Sequence, residues 1–300
     1  MEGSLAEAGP GKEQPAAASE AGEADLAGRT FLVTGGNTGI GRATVAGLAR
    51  RGGRVYAACR SEEKGRAAVA SVVAETGNKA VFYLPLDLAD LASVRHCATS
   101  FLALGEPLHV LINNAGVGGQ RGLTRDGFEL EFGVNHLGHF ALTTALLDHL
   151  EASAPARVVT VASDAHFQAR GVDFSVVRKS TVTRTAMREY AVSKLCNVMF
   201  SAELARRTEG RGITTYALHP GVVASDIWRR VPWPVRPLIK LRMITPEQGA
   251  RTSLYCATSP HVAQVSGRYY DRCAELDASP RVTPDLSRLL WDLSEAWISP

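Results

Sequence analysis

Short apolar runs alternating with longer, helix-compatible stretches constrain this chain more than any other feature. The runs are RTFLVT ending at Thr34, RVYAAC ending at Cys59, AVFYLPL ending at Leu86, LHVLI ending at Ile112, RVVTVA ending at Ala162 and ITTYAL ending at Leu218, with a weaker seventh around Gly267 to Tyr270. Helix candidates lie between them, among them Gly39 to Arg51, Ser61 to Glu75 and Leu91 to Leu104. Strands that are apolar along their whole length must be covered on both faces, which is the situation of a parallel sheet between helical layers. Right-handed crossovers make such a sheet doubly wound, and ligands then sit beyond the carboxyl ends of its strands. The alternation therefore predicts an α/β fold and says where chemistry should be sought.

Of the 300 residues, 45% are hydrophobic and 21% charged, enough apolar material for one substantial core. The absence of an internal repeat or second composition zone predicts a single domain over 26–300. Residues 1–25 are mostly Ala, Gly, Glu, Pro and Ser and cannot bury enough surface to offset their ordering entropy, so they read as a disordered tail. A formal net charge of +3 gives no reason to expect a nucleic-acid partner. Cys59, Cys97, Cys196, Cys256 and Cys273 are scattered without metal-ligand or disulfide spacing, which suits reduced thiols. With no signal peptide and no run of about 20 apolar residues, the expectation is a cytoplasmic protein, membrane association being left open.

The segment after the first run is Thr34-Gly35-Gly36-Asn37-Thr38-Gly39-Ile40-Gly41. Glycines here permit a tight turn and let the backbone approach a pyrophosphate, whose charge the helix N-terminus favours. Gly35, Asn37, Thr38, Gly39, Ile40 and Gly41 are thus candidate cofactor contacts. The second run ends at Arg60, where an acidic residue would accept from a free ribose 2′-hydroxyl and select NAD. Arg60, with Lys64 and Arg42 nearby, would pair instead with a 2′-phosphate, so NADP(H) is preferred and NAD(H) is the alternative. Asp87, beside Leu88 after the third run, can accept from an adenine amino group or cap its own loop.

Tyr190-Ala191-Val192-Ser193-Lys194 sets a phenol and an ammonium four residues apart, on one face if helical. A neighbouring cation would bring the phenol down from its usual value of about 10, toward useful acid–base chemistry. Ser163 follows the fifth run and could donate to a substrate oxygen or simply cap a turn. Asn114, Ala115 and Gly116 follow the fourth run, and Pro220, Gly221 and Val223 follow the sixth. Asn135 interrupts an apolar helical stretch, where an unsatisfied amide is costly; holding a water for a proton relay would satisfy it.

Taken together, TGGNTGIG (Thr34 to Gly41), NNAG (Asn113 to Gly116), Asn135, Ser163, YAVSK (Tyr190 to Lys194) and HPG (His219 to Gly221) resemble the short-chain dehydrogenase/reductase family. The resemblance runs from Gly28 to the C-terminus. It implies a Rossmann-type doubly wound parallel seven-stranded sheet and a catalytic tetrad of Ser163, Tyr190, Lys194 and Asn135. ACRSEEKG (Ala58 to Gly65), LDLADLASVR (Leu86 to Arg95), FGVNHLGHF (Phe132 to Phe140), ASDAH (Ala162 to His166) and LLWDLSEAWI (Leu289 to Ile298) look like the retinol dehydrogenase-like branch. That implies a carbonyl–alcohol oxidoreductase acting on a retinoid-, steroid- or lipid-like substrate. Two features depart from that branch: Ala162-Ser163 stands where paired serines are usual, and its N-terminal anchoring helix is not seen.

The stretch from Ile227 to Ile244 mixes Trp228, Trp233, Leu238, Ile239 and Met243 with five cationic side chains. In this position it reads as a substrate lid spanning about 225–244, with peripheral membrane contact an open alternative; prolines 232, 234 and 237 preclude one continuous helix. His136 and His139 lack the accompanying ligands of a metal site, so packing or hydrogen bonding beside Asn135 is expected. A homodimer is left open. The rival functions are an NAD-linked alcohol dehydrogenase and a non-catalytic NADPH-binding sensor or scaffold.

Overall fold

The computed structural model describes residues 25–221 and 244–299. One sheet runs through them in the order β3-β2-β1-β4-β5-β6-β7-β8. Its strands are β1 (Thr30–Thr34), β2 (Arg54–Cys59), β3 (Val81–Pro85), β4 (Val110–Asn113), β5 (Ala156–Val161), β6 (Ile213–His219), β7 (Arg268–Asp271) and β8 (Ala274–Leu276). The first seven are parallel, and β8 returns antiparallel along β7. The single-domain doubly wound fold stands as expected, with one correction: the sheet has an eighth strand. The turn that makes it, Arg272-Cys273, has φ of 50° and 62°, the left-handed pair a tight hairpin requires. Those residue types do not advertise such a turn.

Period-two alternation splits the core between the two faces. Leu32, Leu111 and Val158 pack on one side with Phe101, Phe140 and Phe200. Phe31, Val33, Val110 and Val159 pack on the other with Val45, Leu48 and Cys256. Each such side chain contributes about 1.5–3 kcal/mol through burial, so both helical layers are held firmly to the sheet. The layers comprise α1 (Gly39–Arg50), α2 (Glu62–Thr76), α3 (Leu91–Leu102), the single turn α4 (Leu130–Phe132), α5 (Gly138–Ala145), α6 (Leu147–Ala152), α7 (Met187–Arg207), α8 (Pro246–Thr258) and α9 (Pro284–Ile298).

Local chemistry explains where these helices start. Asp90 caps α3 by accepting from Ala92 and Ser93 N–H at 2.9 and 3.4 Å. Thr245 and Gln248 form a reciprocal capping box on α8, with Pro246 at its first position. Between α4 and α5 the chain makes a π-helical turn, Gly133–Leu137, so Asn135 lies in widened helix and not in the regular helix the sequence suggests. The chain leaves β1 toward β2 and β3, then restarts with β4 on β1's other side. The crevice at that reversal is where a doubly wound sheet binds ligand.

Candidate active site

At the carboxyl end of β1 the glycine loop is built to leave space outside and none inside. A Cβ on Gly41 would lie 2.2 Å from the Gly35 carbonyl oxygen and 2.5 Å from Asn114 Nδ2, and one on Gly36 would lie 2.8 Å from Ala57 Cβ. Gly39, with φ of 53°, faces open space where α1 begins. Thr34 Oγ1 accepts from Asn114 and Ala115 N–H at 2.9 Å each, and Asn114 Nδ2 donates to Thr34 O at 2.8 Å. Asn114 and Ala115 thus brace β4 against the loop, while Asn37, Thr38 and Ile40 stay at least partly open to solvent. Such a cradle fits a pyrophosphate over a helix N-terminus.

The basic residues near β2 divide. Arg42 is spent on Glu75 and Ser71, both at 2.8 Å, which removes it from the group expected to meet a phosphate. Arg60 and Lys64 are exposed, and no ion pair engages either among the described residues. Asp87 Oδ1 accepts from Ala89 N–H at 3.0 Å, the loop-capping alternative, and Leu88 is buried in the core. Pro220 and Gly221 close the far side after β6; Gly221 has φ of 87° and packs against Ile244. Val223 and the lid, apart from Ile244, lie outside the described residues.

Ser163, Tyr190, Lys194 and Asn135 converge beyond β4 and β5. Lys194 is buried, donates from Nζ to Val161 O at 3.0 Å, and sits 5.6 Å from the Tyr190 ring centroid. Ser163 lies close to the phenol. Asn135 is fully buried: Oδ1 accepts from Val117 N–H at 2.8 Å, and Nδ2 donates to Val117 O and Ser193 Oγ, both at 2.9 Å. Its amide is therefore satisfied by protein and serves to fix the loop after β4 against α7. Gly116 lies beside this junction, where a Cβ would stand 3.2 Å from Asn135 Oδ1 and 3.4 Å from Lys194 Nζ.

The shift runs opposite to the expected lowering by Lys194. Loss of solvent pushes Tyr190 up to about 12 and pulls Lys194 down to about 8.

Several links lie outside the sequence reading. Thr34 Oγ1 bonds His139 Nε2 at 2.8 Å, and His139 Nδ1 bonds Asn135 O at 2.9 Å, joining the glycine loop to the tetrad. The sequence placed His139 beside Asn135 but gave no reason to connect it to Thr34. His136, meanwhile, turns away to Ser294 at 3.0 Å. Asp164 Oδ1 accepts from Ser163 Oγ at 3.0 Å. Glu131 is completely buried, four residues before Asn135; an acid in an apolar helical stretch was the signal available for it.

The short chain dehydrogenase profile matches residues 29–233, and the chain belongs to that family. It is 46% identical to human dehydrogenase/reductase SDR family member 13, covering 91% of this chain and 74% of that protein. It is 44% identical to human retinol dehydrogenase 11, covering 90% and 85%. A crystal structure of an uncharacterized protein from Mycobacterium paratuberculosis superposes with a TM-score of 0.75 at 33% identity, covering 92% and 95% of the two chains. The RhlG/NADP active-site complex of Pseudomonas aeruginosa superposes at 0.68 with 26% identity, covering 82% and 94%. The chain is thus an oxidoreductase of the retinol dehydrogenase-like kind, acting on CH–OH donors with a nicotinamide cofactor. No helix among the described residues is long and apolar enough to cross a membrane.

Proposed function

We propose that this enzyme works as an NADP(H)-dependent reductase of an apolar aldehyde or ketone, of retinoid, steroid or lipid type. The observation that supports the reading is the half-buried Tyr190 phenol beside Ser163 and Lys194, protonated at neutral pH as an ordinary phenol is. A group in that state is an acid, which is what carbonyl reduction asks of it. When bound, the cofactor supplies the hydride. Ser163 and Tyr190 hold the substrate oxygen, and Tyr190 gives it a proton. Lys194 restores the phenol and is placed to meet the ribose, while Asn135 keeps the loop after β4 in register with α7. Gly35 to Gly41 cradle the pyrophosphate, Arg60 and Lys64 take the 2′-phosphate, and Pro220, Gly221 and Val223 flank the nicotinamide. Phe167, four residues after Ser163, and Met187, three before Tyr190, are large, apolar and exposed, which favours a greasy substrate.

Tyr190→Phe tests the assignment. Loss of a positioned acid removes about 10²–10⁴-fold in rate, so turnover of NADPH with a retinal and steroid ketone panel should vanish while NADPH affinity is kept. Wild-type turnover in that variant would refute the role. A wild-type protein that binds NADPH tightly and reduces nothing on the panel would favour the sensor or scaffold reading.

A further inference from the structure

His166 and His219 are buried histidines that the proposed reaction leaves unused, and both reach the main chain at Ser163. β5 and β6 stay paired as far as Ala162 N–H, which donates to Leu218 O at 2.8 Å. At Ser163 the chain leaves the sheet for the short turn Asp164–Gln168, and side chains take over from the ladder. His219, the last residue of β6, accepts the Asp164 N–H at Nδ1 over 3.2 Å. His166 sets Nδ1 2.6 Å from Ser163 O, and its Nε2 accepts from Ser279 N–H at 3.1 Å. His166 is fully buried, and His219 and Ser163 are nearly so.

These partners fix both tautomers. A main-chain N–H can only donate, so the ring nitrogen facing it carries no hydrogen. His166 therefore bears its hydrogen on Nδ1 and gives it to Ser163 O, whereas His219 bears its own on Nε2. Burial favours the neutral ring in both, ahead of the opposing pull of Asp164 on each and of Asp271 on His219. The Ser163 carbonyl and the Asp164 N–H are the two ends of one planar peptide unit. With one imidazole on each end, the plane cannot turn without breaking a hydrogen bond, and that plane sets the Ser163 ψ of 157°. The hydroxyl is tied to the same unit: Ser163 Oγ accepts from Ala165 N–H at 3.2 Å and donates to Asp164 Oδ1 at 3.0 Å.

We propose that His166 and His219 are positioning residues, a pair of neutral imidazoles that clamp the Ser163–Asp164 peptide and so set the place of the Ser163 hydroxyl at the substrate oxygen. The inference rests on the reductase reading above, in which Ser163 holds that oxygen. Each histidine acts through Ser163, and no proton leaves either ring. Because the second nitrogen of His166 is held by Ser279, just before α9, the clamp also ties the serine to the C-terminal segment.

Asparagine and glutamine tell the two ring nitrogens apart, because an Asn amide reaches the place of Nδ1 and a Gln amide that of Nε2. H166N keeps a donor for Ser163 O and loses the acceptor for Ser279; H166Q does the reverse. The clamp predicts that single-turnover reduction of retinal by NADPH stays within about three-fold of wild type in H166N and falls about ten-fold or more in H166Q. A mere anchor for the C-terminal segment predicts the opposite order, and that order overturns the proposal. H219N, which keeps the acceptor for Asp164, should likewise retain the rate that H219A loses, with NADPH affinity unchanged in both as the sign of an intact fold. On a Ser163→Ala background H219A should cost nothing more, since its effect passes through the missing hydroxyl. A further independent loss there, or equal rates in H219N and H219A, also overturns the proposal. Wild-type turnover in Ser163→Ala or Tyr190→Phe would instead remove the reductase reading, and the clamp with it.

Discussion

Arg60 should decide which nicotinamide cofactor the enzyme takes, and its size as a determinant follows from what its neighbours are doing. Three cations were candidates for a 2′-phosphate, but Arg42 shares the Glu75 carboxylate with Arg50 and also bonds Ser71. Arg60 follows the end of β2, exposed and without an ion pair among the described residues, and Lys64 lies in the first turn of α2. A charge-assisted hydrogen bond to phosphate contributes about 1.5–3 kcal/mol, toward the lower end where solvent screens it. Arg60→Ala should therefore weaken NADPH binding by about 10- to 100-fold and leave NADH binding nearly unchanged. Arg60→Asp should go further, because the new carboxylate repels the phosphate yet accepts from a free 2′-hydroxyl, reversing the preference. Arg42→Ala should alter either affinity by less than about three-fold, its charge being already compensated. Fluorescence titration with both cofactors, at low and high salt, measures this, and the Arg60 effect should shrink with salt. An Arg42 variant that loses more NADPH affinity than the Arg60 variant would refute the reasoning.

Gly41→Ala should cost about 1–3 kcal/mol in stability through overpacking, because its Cβ would lie 2.2 Å from Gly35 O; it should also weaken both cofactors alike, measurable by denaturation and the same titrations. Glu131 also predicts a pH dependence of folding. Its folded pKa of about 8 lies above the unfolded value, so its contribution is fully present below the unfolded pKa and is lost as pH rises through about 8. Glu131→Gln should therefore be more stable than wild type, relative to their difference at about pH 6, by on the order of a few kcal/mol at about pH 9. Urea unfolding at the two pH values checks the sign, and an equal pH response in the two proteins would contradict it.

The scaffold was legible because its signals are local. Seven parallel strands coincide with apolar runs, and α1 begins at Gly39 as the glycine loop requires. β8 escaped because its turn is carried by Arg272-Cys273, whose left-handed backbone is imposed by the sheet and not by residue preference. That Ser163, Tyr190, Lys194 and Asn135 come close together was readable from motif order, but the direction of their pKa shifts was not. Four-residue spacing suggests that Lys194 faces Tyr190, whereas the direction of the phenol's shift depends on how much water the fold removes from both. Arg42 shows the same limit: its partner Glu75 is 33 positions away and was invisible to a local reading.

Asp164 couples that hidden electrostatics to the direction of catalysis. Ser163 Oγ donates to Asp164 Oδ1, and the Asp164 charge raises the Tyr190 pKa. The charge keeps the phenol protonated, which favours reduction, while the hydrogen bond holds the serine proton away from substrate. In the oxidative direction Tyr190 must instead start as a base, so alcohol oxidation should climb with alkaline pH while reduction declines. Asp164→Asn keeps an acceptor for Ser163 and removes the charge. The oxidative limb should then move to lower pH, by well under one unit because the Asp164 side chain is 61% exposed and its field is screened. Added salt should shrink the wild-type-to-variant difference. Asp164→Ala additionally frees the Ser163 hydroxyl, so KM for the carbonyl substrate should fall in Ala but not in Asn. Rates in both directions, followed across pH at two ionic strengths, separate the two effects; an oxidative limb unmoved in Asp164→Asn at low salt would show that this carboxylate has no hold on the phenol.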